Sequence, residues 1–361
     1  MKVLAAVSGG VDSAVAMARA ADAGHDVTAV HMALSPDPAL TRDGGRGCCT
    51  ISDANDARRA ADKVGVPFYI WDFAEKFRDT VITDFLEEYS AGRTPNPCVR
   101  CNEHIKFTAL LERARALGFD AVATGHYARL DQTDSGPRLS RAVDPGKDQS
   151  YVLAVLGVDG LRHSMFPLGD TPKDQVRIEA EARGLRVAHK PDSHDICFIP
   201  DGDTAGFLRQ ELGEQPGQII DDQTGESIGE HRGTHAFTVG QRKGLGVTTA
   251  TETGRPRYVL RIDPVQREVV VGERERLAVS VMDCEKPVWC GPLIAADQQV
   301  RVQIRAHGES ISAQIVTVSA ESGFQVRLDE PLIGVAPGQS CVLYTPDDET
   351  VIGQGLIRSA G

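Results

Sequence analysis

The chain has 361 residues, 41% of them hydrophobic and 25% charged, with a formal net charge of −12. That is the composition of a soluble globular protein long enough for two or three domains; no run approaches the roughly 20 apolar residues of a membrane span, and no signal-peptide pattern opens it, so a cytoplasmic location is expected. The acidity excludes a protein that coats nucleic acid indiscriminately, but not a local basic face that grips one structured RNA.

Lys2–Val7 is apolar and short, as a buried parallel strand requires. Ala6-Val7-Ser8-Gly9-Gly10-Val11-Asp12-Ser13 follows, and then a helical stretch from Ala14 to Ala23. Glycines between a strand and a helix let backbone N–H groups approach an anion. Ser8 and Ser13 add hydroxyl donors, and Asp12 can hold Mg²⁺ or cap the helix. The next expected elements are a strand at Asp26–Met32, a helix capped by Ser52 and ending near Val64, and a strand at Phe68–Asp72. Helices over about Glu75–Ala91 and Asn102–Leu117 and a strand at Ala121–Thr124 complete the series. Strands alternating with helices predict a doubly wound α/β fold on a parallel sheet. In such a sheet Ser8–Ser13, Met32 and Gly125-His126, all at strand carboxyl ends, converge on one crevice.

After about residue 200 the helical period fades. Short β-rich runs follow at Thr234–Val239, Tyr258–Asp263, Glu268–Val271 and Val279–Cys284. Clear alternation over 300–305, 313–316 and 325–328, with turns such as Pro337-Gly338, predicts a small antiparallel barrel. The expected domains are 1–203, 204–272 and 273–361.

Eight cysteines in such a chain point to reactive or metal-binding thiols rather than a disulfide scaffold. Cys284, Cys290 and Cys341 lie in strand-like sequence and read as small buried apolar residues. Adjacent Cys48 and Cys49 are poorly spaced to chelate one metal. In Thr94-Pro95-Asn96-Pro97-Cys98-Val99-Arg100-Cys101-Asn102, two prolines stiffen the loop and Asn102 is the expected helix cap. Cys101 would then sit at a helix N-terminus with Arg100 beside it, an arrangement that lowers a thiol pKa. Cys197 stands in a short apolar run near His194, a proton acceptor. Cys98-x-x-Cys101 alone suggests a redox pair or half a zinc site, and no second Cys-x-x-Cys exists to complete one.

Ser8–Ser13 resembles the Ser-Gly-Gly-x-Asp-Ser loop of the PP-loop ATP pyrophosphatases (adenine nucleotide alpha hydrolase-like), which adenylate an oxygen and release pyrophosphate. The whole chain resembles the bacterial-type tRNA 2-thiouridylase family. The matching segments, in order, are Ser8–Ser13, Thr94–Asn102, Thr124–Ala128, Lys147–Tyr151, Lys190–Asp203, Phe237–Gly246 and Pro337–Gln339.

The resemblance implies replacement of the C2 oxygen of the wobble uridine (U34) by sulfur, in Lys, Glu and Gln tRNAs. ATP and Mg²⁺ would be bound by Ala6, Val7, Ser8, Gly9, Gly10, Val11, Asp12, Ser13, Met32 and Gly125; Met32 also reads as plain sheet core. Cys197 would carry a persulfide loaded by a sulfur-donor protein, a cysteine desulfurase or relay, and Cys101 would attack it and leave a Cys101–Cys197 disulfide. Contacts to tRNA would come from Asn96, Pro97, Cys98, His126, Lys147, Asp148, Gln149, Arg305 and Gln339, with Arg242 and Lys243 suited to phosphate. Many family members carry Asp where this chain has Cys98. Cys98, Cys101 and Cys197 could instead hold a [4Fe–4S] cluster for the same overall reaction. Two readings from other classes are an amide-forming synthetase on the same loop, which needs neither thiol, and an RNA-binding protein with a vestigial ATP fold.

Overall fold

In the computed structural model, which describes residues 1–35, 50–192, 196–199, 201–247 and 254–361, the first strand lies at the middle of a parallel sheet. The strands are β1 (Lys2–Ala6), β2 (Asp26–Ala33), β3 (Phe68–Asp72) and β4 (Ala121–Ala123), then a separate hairpin of β5 (Arg129–Thr133) and β6 (Gly136–Ser140), then β7 (Ser164–Met165). Sheet order is β3-β2-β1-β4-β7, every pair parallel. The side-chain period of two decides which face each residue serves. Val3, Ala5 and Val7 join the apolar cluster under helices α1 (Val11–Asp22) and α2 (Ile51–Val64). Leu4 and Ala6 join the opposite cluster, with Phe77, Phe85, Ile105 and Leu110. Both faces of the sheet are thus covered, as the doubly wound reading requires.

Helix starts differ from expectation in three places. α1 begins at Val11, not Ala14, after Gly10. α2 is capped by Thr50, not Ser52: Asp53 N donates to Thr50 Oγ1 (3.1 Å) and Thr50 N donates to Asp53 Oδ2 (2.9 Å). That reciprocal box satisfies two orphan donors at once, which Ser52, two residues later and already inside the helix, cannot do. The helix expected from Asn102 starts at Pro97, with Asn96 as its cap, and stays helical through Ala116 by way of a π-helical stretch at Asn102–Ala109. Asn102 is therefore inside the helix, where its Nδ2 donates to Val152 O at 2.9 Å.

The centre is a four-stranded sheet of β8 (Gly217–Asp221), β9 (Ser227–His231), β10 (Tyr258–Asp263) and β11 (Glu268–Gly272), in the order β10-β11-β8-β9. Its first two strands were not expected, and the run expected at Thr234–Val239 is not a strand. Thr234–Ala236 is a 3₁₀ turn closed by Phe237 N donating to Thr234 O at 3.1 Å. Phe237 is thereby turned into the sheet's small apolar core, its ring 5.4 Å from that of His231. The remaining strands are β12 (Ala278–Trp289), β13 (Gln299–Gln303), β14 (Ile311–Ser319), β15 (Gly323–Ile333), β16 (Ser340–Tyr344) and β17 (Val351–Ala360). They close an antiparallel barrel in the order β12-β15-β14-β13-β16-β17, as the alternation predicts. Cys284, Cys290 and Cys341 are buried, as read. Among the described residues no helix is long and apolar enough to cross a membrane.

Candidate active site

The loop between β1 and α1 is shaped by close backbone approach. Gly9 has φ +81°, and a Cβ there would stand 2.3 Å from Asp53 O. A Cβ on Gly125, just past β4, would stand 2.6 Å from Ser13 N. Neither position tolerates a side chain, because the obstacle is backbone. Ser8 N donates to Ser13 Oγ (3.1 Å), whose hydroxyl donates to Gly10 O (3.1 Å). The cap residue Gly10 offers no side-chain acceptor to the first-turn amides of α1. They are the kind of donors that a phosphate accepts from. The end of β2 is tied to the same place through the His31 Nδ1 contact with Val7 O at 2.9 Å, and Met32 is half-buried against the apolar cluster that contains Ala6 and Leu34. The expected convergence of Ser8–Ser13 and Gly125 is therefore present.

Positive charge surrounds this loop, much of it from Lys173 and Arg177, which the resemblance does not single out. Lys173 Nζ lies 2.7 Å from both carboxylate oxygens of Asp12 and 2.9 Å from Asp192 Oδ1, with its side chain only 8% exposed. Tyr127 Oη donates to Asp12 Oδ1 at 2.7 Å, and burial together with the Asp12 charge pushes the phenol pKa up, so it remains a donor. Lys147 and Arg177 complete the shell of Asp192 at 2.8 and 2.7 Å. Burial works against that carboxylate, but the lysine contacts outweigh it and bring its pKa to about 2. Lys190 Nζ donates to Gly9 O (2.9 Å) and to Asp53 and Asp56 (2.7 and 2.8 Å), bracing the loop from beneath. A lysine at the first position of a helix opposes the macrodipole. Lys173 opens the helix Lys173–Ala182, and that local anomaly was the one signal available.

The residues expected at tRNA divide. Lys147 is half-buried and ion-paired. Asp148 accepts from Arg141 (2.9 Å), Ser150 Oγ (2.8 Å) and Ala142 N (3.0 Å), so its carboxylate is consumed within the protein. Gln149 Oε1 accepts from Tyr127 N at 2.9 Å and anchors the 125–127 turn. His126 lies inside, packed between Phe107 and Phe166, with Nδ1 at 2.7 Å from Thr124 Oγ1. Arg305 is exposed, and its Nη2 donates to Gly334 O at 2.7 Å. Gln339 is half-buried, and among the described residues its Oε1 has no hydrogen-bond partner.

Burial pushes the His126 pKa well below 6.5, with Lys106 adding repulsion. The unfolded chain therefore binds a proton that the folded chain refuses, and stability falls as pH drops below 6.5. The expected slope approaches about 1.4 kcal/mol per pH unit. The urea midpoint should fall between pH 6.5 and 5, and the fall should be shallower in His126→Asn; parallel curves would refute a neutral buried His126. His231 and His235, also depressed by burial, contribute in the same direction in both proteins. The Asp192 contribution is lost only lower, from 3.8 towards about 2.

Among the cysteines, Cys98 is exposed, Cys101 is 7% exposed and Cys197 is half-buried. Cys98 N donates to the Asn96 cap at 3.0 Å. Cys101 is more than one turn into the helix, so the expected macrodipole activation belongs to a position it does not occupy. Arg100 is drawn to Asp84 (3.2 Å) and Glu103 (2.8 Å). Cys101 and Cys197 nevertheless pack in one apolar cluster, the one that reaches Ala6, Met32 and Leu34 at the carboxyl ends of β1 and β2. Among the described residues no group of three His, Cys, Asp or Glu side chains is placed to hold a metal ion. Cys48, Cys49 and His194 lie outside the described residues.

Profiles of a tRNA methyl transferase HUP domain, a tRNA methyl transferase PRC-barrel domain and an aminomethyltransferase beta-barrel domain match residues 1–201, 205–273 and 279–357. The tRNA-specific 2-thiouridylase MnmA of Saccharopolyspora erythraea is 59% identical over 362 residues, covering 99% of both chains. That of Beutenbergia cavernae is 58% identical over 366 residues, covering 100% of this chain and 96% of its own. Solved structures overlay only loosely: an NMN synthetase from Francisella tularensis gives a TM-score of 0.34 at 16% identity, over 59% of this chain and 71% of that one, too slight to bear on function. Full-length identity above one half with proteins of one name decides the family: this chain belongs to the tRNA-specific 2-thiouridylases.

Proposed function

We propose that this chain is an ATP-dependent tRNA sulfurtransferase that places sulfur at C2 of the wobble uridine, U34. The observation that carries the reading is the shared cluster: two thiols pack against the carboxyl ends of the strands whose neighbouring loop is built for phosphate.

A uracil carbonyl oxygen is a poor leaving group and must be activated. The C2 oxygen attacks the α-phosphorus of ATP, the bond to the β-phosphate oxygen breaks, and pyrophosphate leaves. The first-turn amides of α1, with Ser8 and Ser13, hold the phosphates in line, and Lys173 supplies charge where it develops. Mg²⁺, when bound, neutralises phosphate charge; Asp12 is the loop's carboxylate for it. Met32 and Gly125 lie beside the nucleotide.

Sulfur arrives as a persulfide on Cys197, loaded by a cysteine desulfurase or relay protein. The Cys101 thiolate attacks the inner sulfur, the S–S bond of the persulfide breaks, and hydrosulfide departs with the electron pair as the Cys101–Cys197 disulfide forms. Hydrosulfide adds at C2 and AMP leaves; a thiol reductant restores the two cysteines. Asn96, Pro97 and Cys98 line the flipped base, while Arg242, Lys243, Arg305 and Gln339 face the anticodon stem-loop. Such a substrate places the reaction in the cytoplasm.

The test is pyrophosphate release from Mg–ATP with unmodified Lys, Glu or Gln tRNA. Release that depends on tRNA, with binding that weakens steeply with salt, is expected. Release without tRNA but with a small carboxylate would favour the amide-forming synthetase. Tight tRNA binding without release would leave only an RNA-binding protein.

A further inference from the structure

The loop leading into the helix that carries Cys98 and Cys101 is held from outside its own domain. Thr94 N donates to Pro337 O of the barrel at 2.7 Å. Beside that bond, Gly338 has φ +90°, and a Cβ there would meet Arg93 Cβ at 2.9 Å and Thr94 N at 3.0 Å. Arg93 is fixed in turn by paired contacts of 2.6 and 2.5 Å to Glu88, a carboxylate only 7% exposed. On the other side, Gly92 (φ +73°) abuts the central domain: a Cβ would stand 2.9 Å from Pro264 Cγ.

The same barrel segment reaches the RNA-facing candidates at its other end. Arg305 Nη2 donates to Gly334 O at 2.7 Å. Gly334 also abuts Gly240, whose built Cβ would lie 3.2 Å from Gly334 Cα, and Gly240 opens the Gln241-Arg242-Lys243 turn. Residues 334–339 thus touch the candidate phosphate-gripping turn at one end and the thiol loop at the other, through backbone contacts with no side-chain slack.

We propose that residues 334–339 form a positioning strap, with Gly338 its positioning residue, that sets the thiol and base-lining loop in register with tRNA seated on the central domain and barrel. The inference rests on the thiolation reading. Gly338 touches no reacting atom; it acts through Thr94. Backbone–backbone contact transmits displacement because packed interiors do not yield continuously. A shift of 1 Å in a reacting group costs about 10²-fold in rate.

The experiment compares Gly338→Ala and Gly92→Ala, which press on the loop from opposite sides, with the unaltered protein. Three quantities are measured: tRNA Kd, single-turnover thiolation at saturating tRNA, and the rate of Cys98 alkylation by iodoacetamide without tRNA. The expected result is a thiolation rate lower by about 10-fold or more, an unchanged Kd and an altered Cys98 alkylation rate in both variants. Unaltered thiolation in folded variants overturns the strap, and so does a loss confined to Kd, which would make the segment a simple tRNA contact. If one variant fails to fold, the other decides. If the unaltered protein shows no thiolation, the functional reading fails, and an unchanged Cys98 alkylation rate would then overturn the strap on its own.

Discussion

Cys197→Ser is expected to lower tRNA thiolation by about 10³-fold or more while leaving tRNA-dependent pyrophosphate release within about twofold. The two halves of the reaction use different groups. In the proposed reaction, adenylation needs the phosphate loop, Lys173 and the bound base, and no thiol. Sulfur delivery needs a thiolate that can hold an extra sulfur, and a serine hydroxyl forms no persulfide. Replacing sulfur by oxygen at a half-buried position changes little volume, so the phosphate loop on the far side of the cluster stays in place. Cys101→Ser should show the same split, with one difference. The Cys197 persulfide should then accumulate, and cyanide treatment should release it as thiocyanate. Full thiolation by Cys197→Ser would exclude the persulfide route. Parallel loss of pyrophosphate release would show instead that the substitution disturbs the fold of the site.

Lys173→Met is the second, and reverses the pattern: pyrophosphate release should fall by about 10²–10³-fold, the size of effect seen when one preorganised electrostatic group is removed. Lys173 is nearly buried and holds Asp12 at 2.7 Å on both oxygens. On the proposed reading, the ammonium beside the loop would exchange the Asp12 carboxylate for a phosphate oxygen when triphosphate enters, leaving Asp12 open to the metal. Methionine keeps the stem and removes the charge. Asp12 is 31% exposed on its side chain, so water relieves much of its loss, and the stability cost should stay near about 1–2 kcal/mol rather than the larger figure of a fully buried pair. Lys173→Arg should recover part of the rate, since it keeps the charge in a different shape. Pyrophosphate release by Lys173→Met equal to that of the unaltered protein would remove Lys173 from the adenylation step.

Much of this was legible in one dimension. β1 alternates small apolar residues with period two, and the two apolar clusters receive them alternately. Gly9 and Gly10 between a strand and a helix can be read as an anion cradle, because only glycine reaches φ +81° at no steric cost. Elsewhere local signals tie. Asn96 and Asn102 are both good caps before apolar sequence; Pro97 at the first helical position settles the choice for Asn96. The Thr234–Val239 run is β-rich in composition, yet Gly233 and a 3₁₀ turn aim Phe237 into a core that only the assembled sheet creates.

By itself the sequence determined the parallel sheet, the glycine-rich loop after its first strand and the barrel, because hydrophobic period and glycine chemistry are local properties. Only the tertiary structure decided how those groups are used. Lys173 meets Asp12 across 161 positions of chain, and no local pattern reports a contact at that separation. Asp148 and His126 had the chemistry of RNA contacts, but folding spends one on Arg141 and Ser150 and buries the other between two rings. The two-proline segment before the thiols is met by the barrel, Thr94 N donating to Pro337 O and Gly338 lying against Arg93 and Thr94. Propensity specifies elements; which charged and backbone groups face one another is set by how those elements pack, and the chemistry of the site depends on that packing.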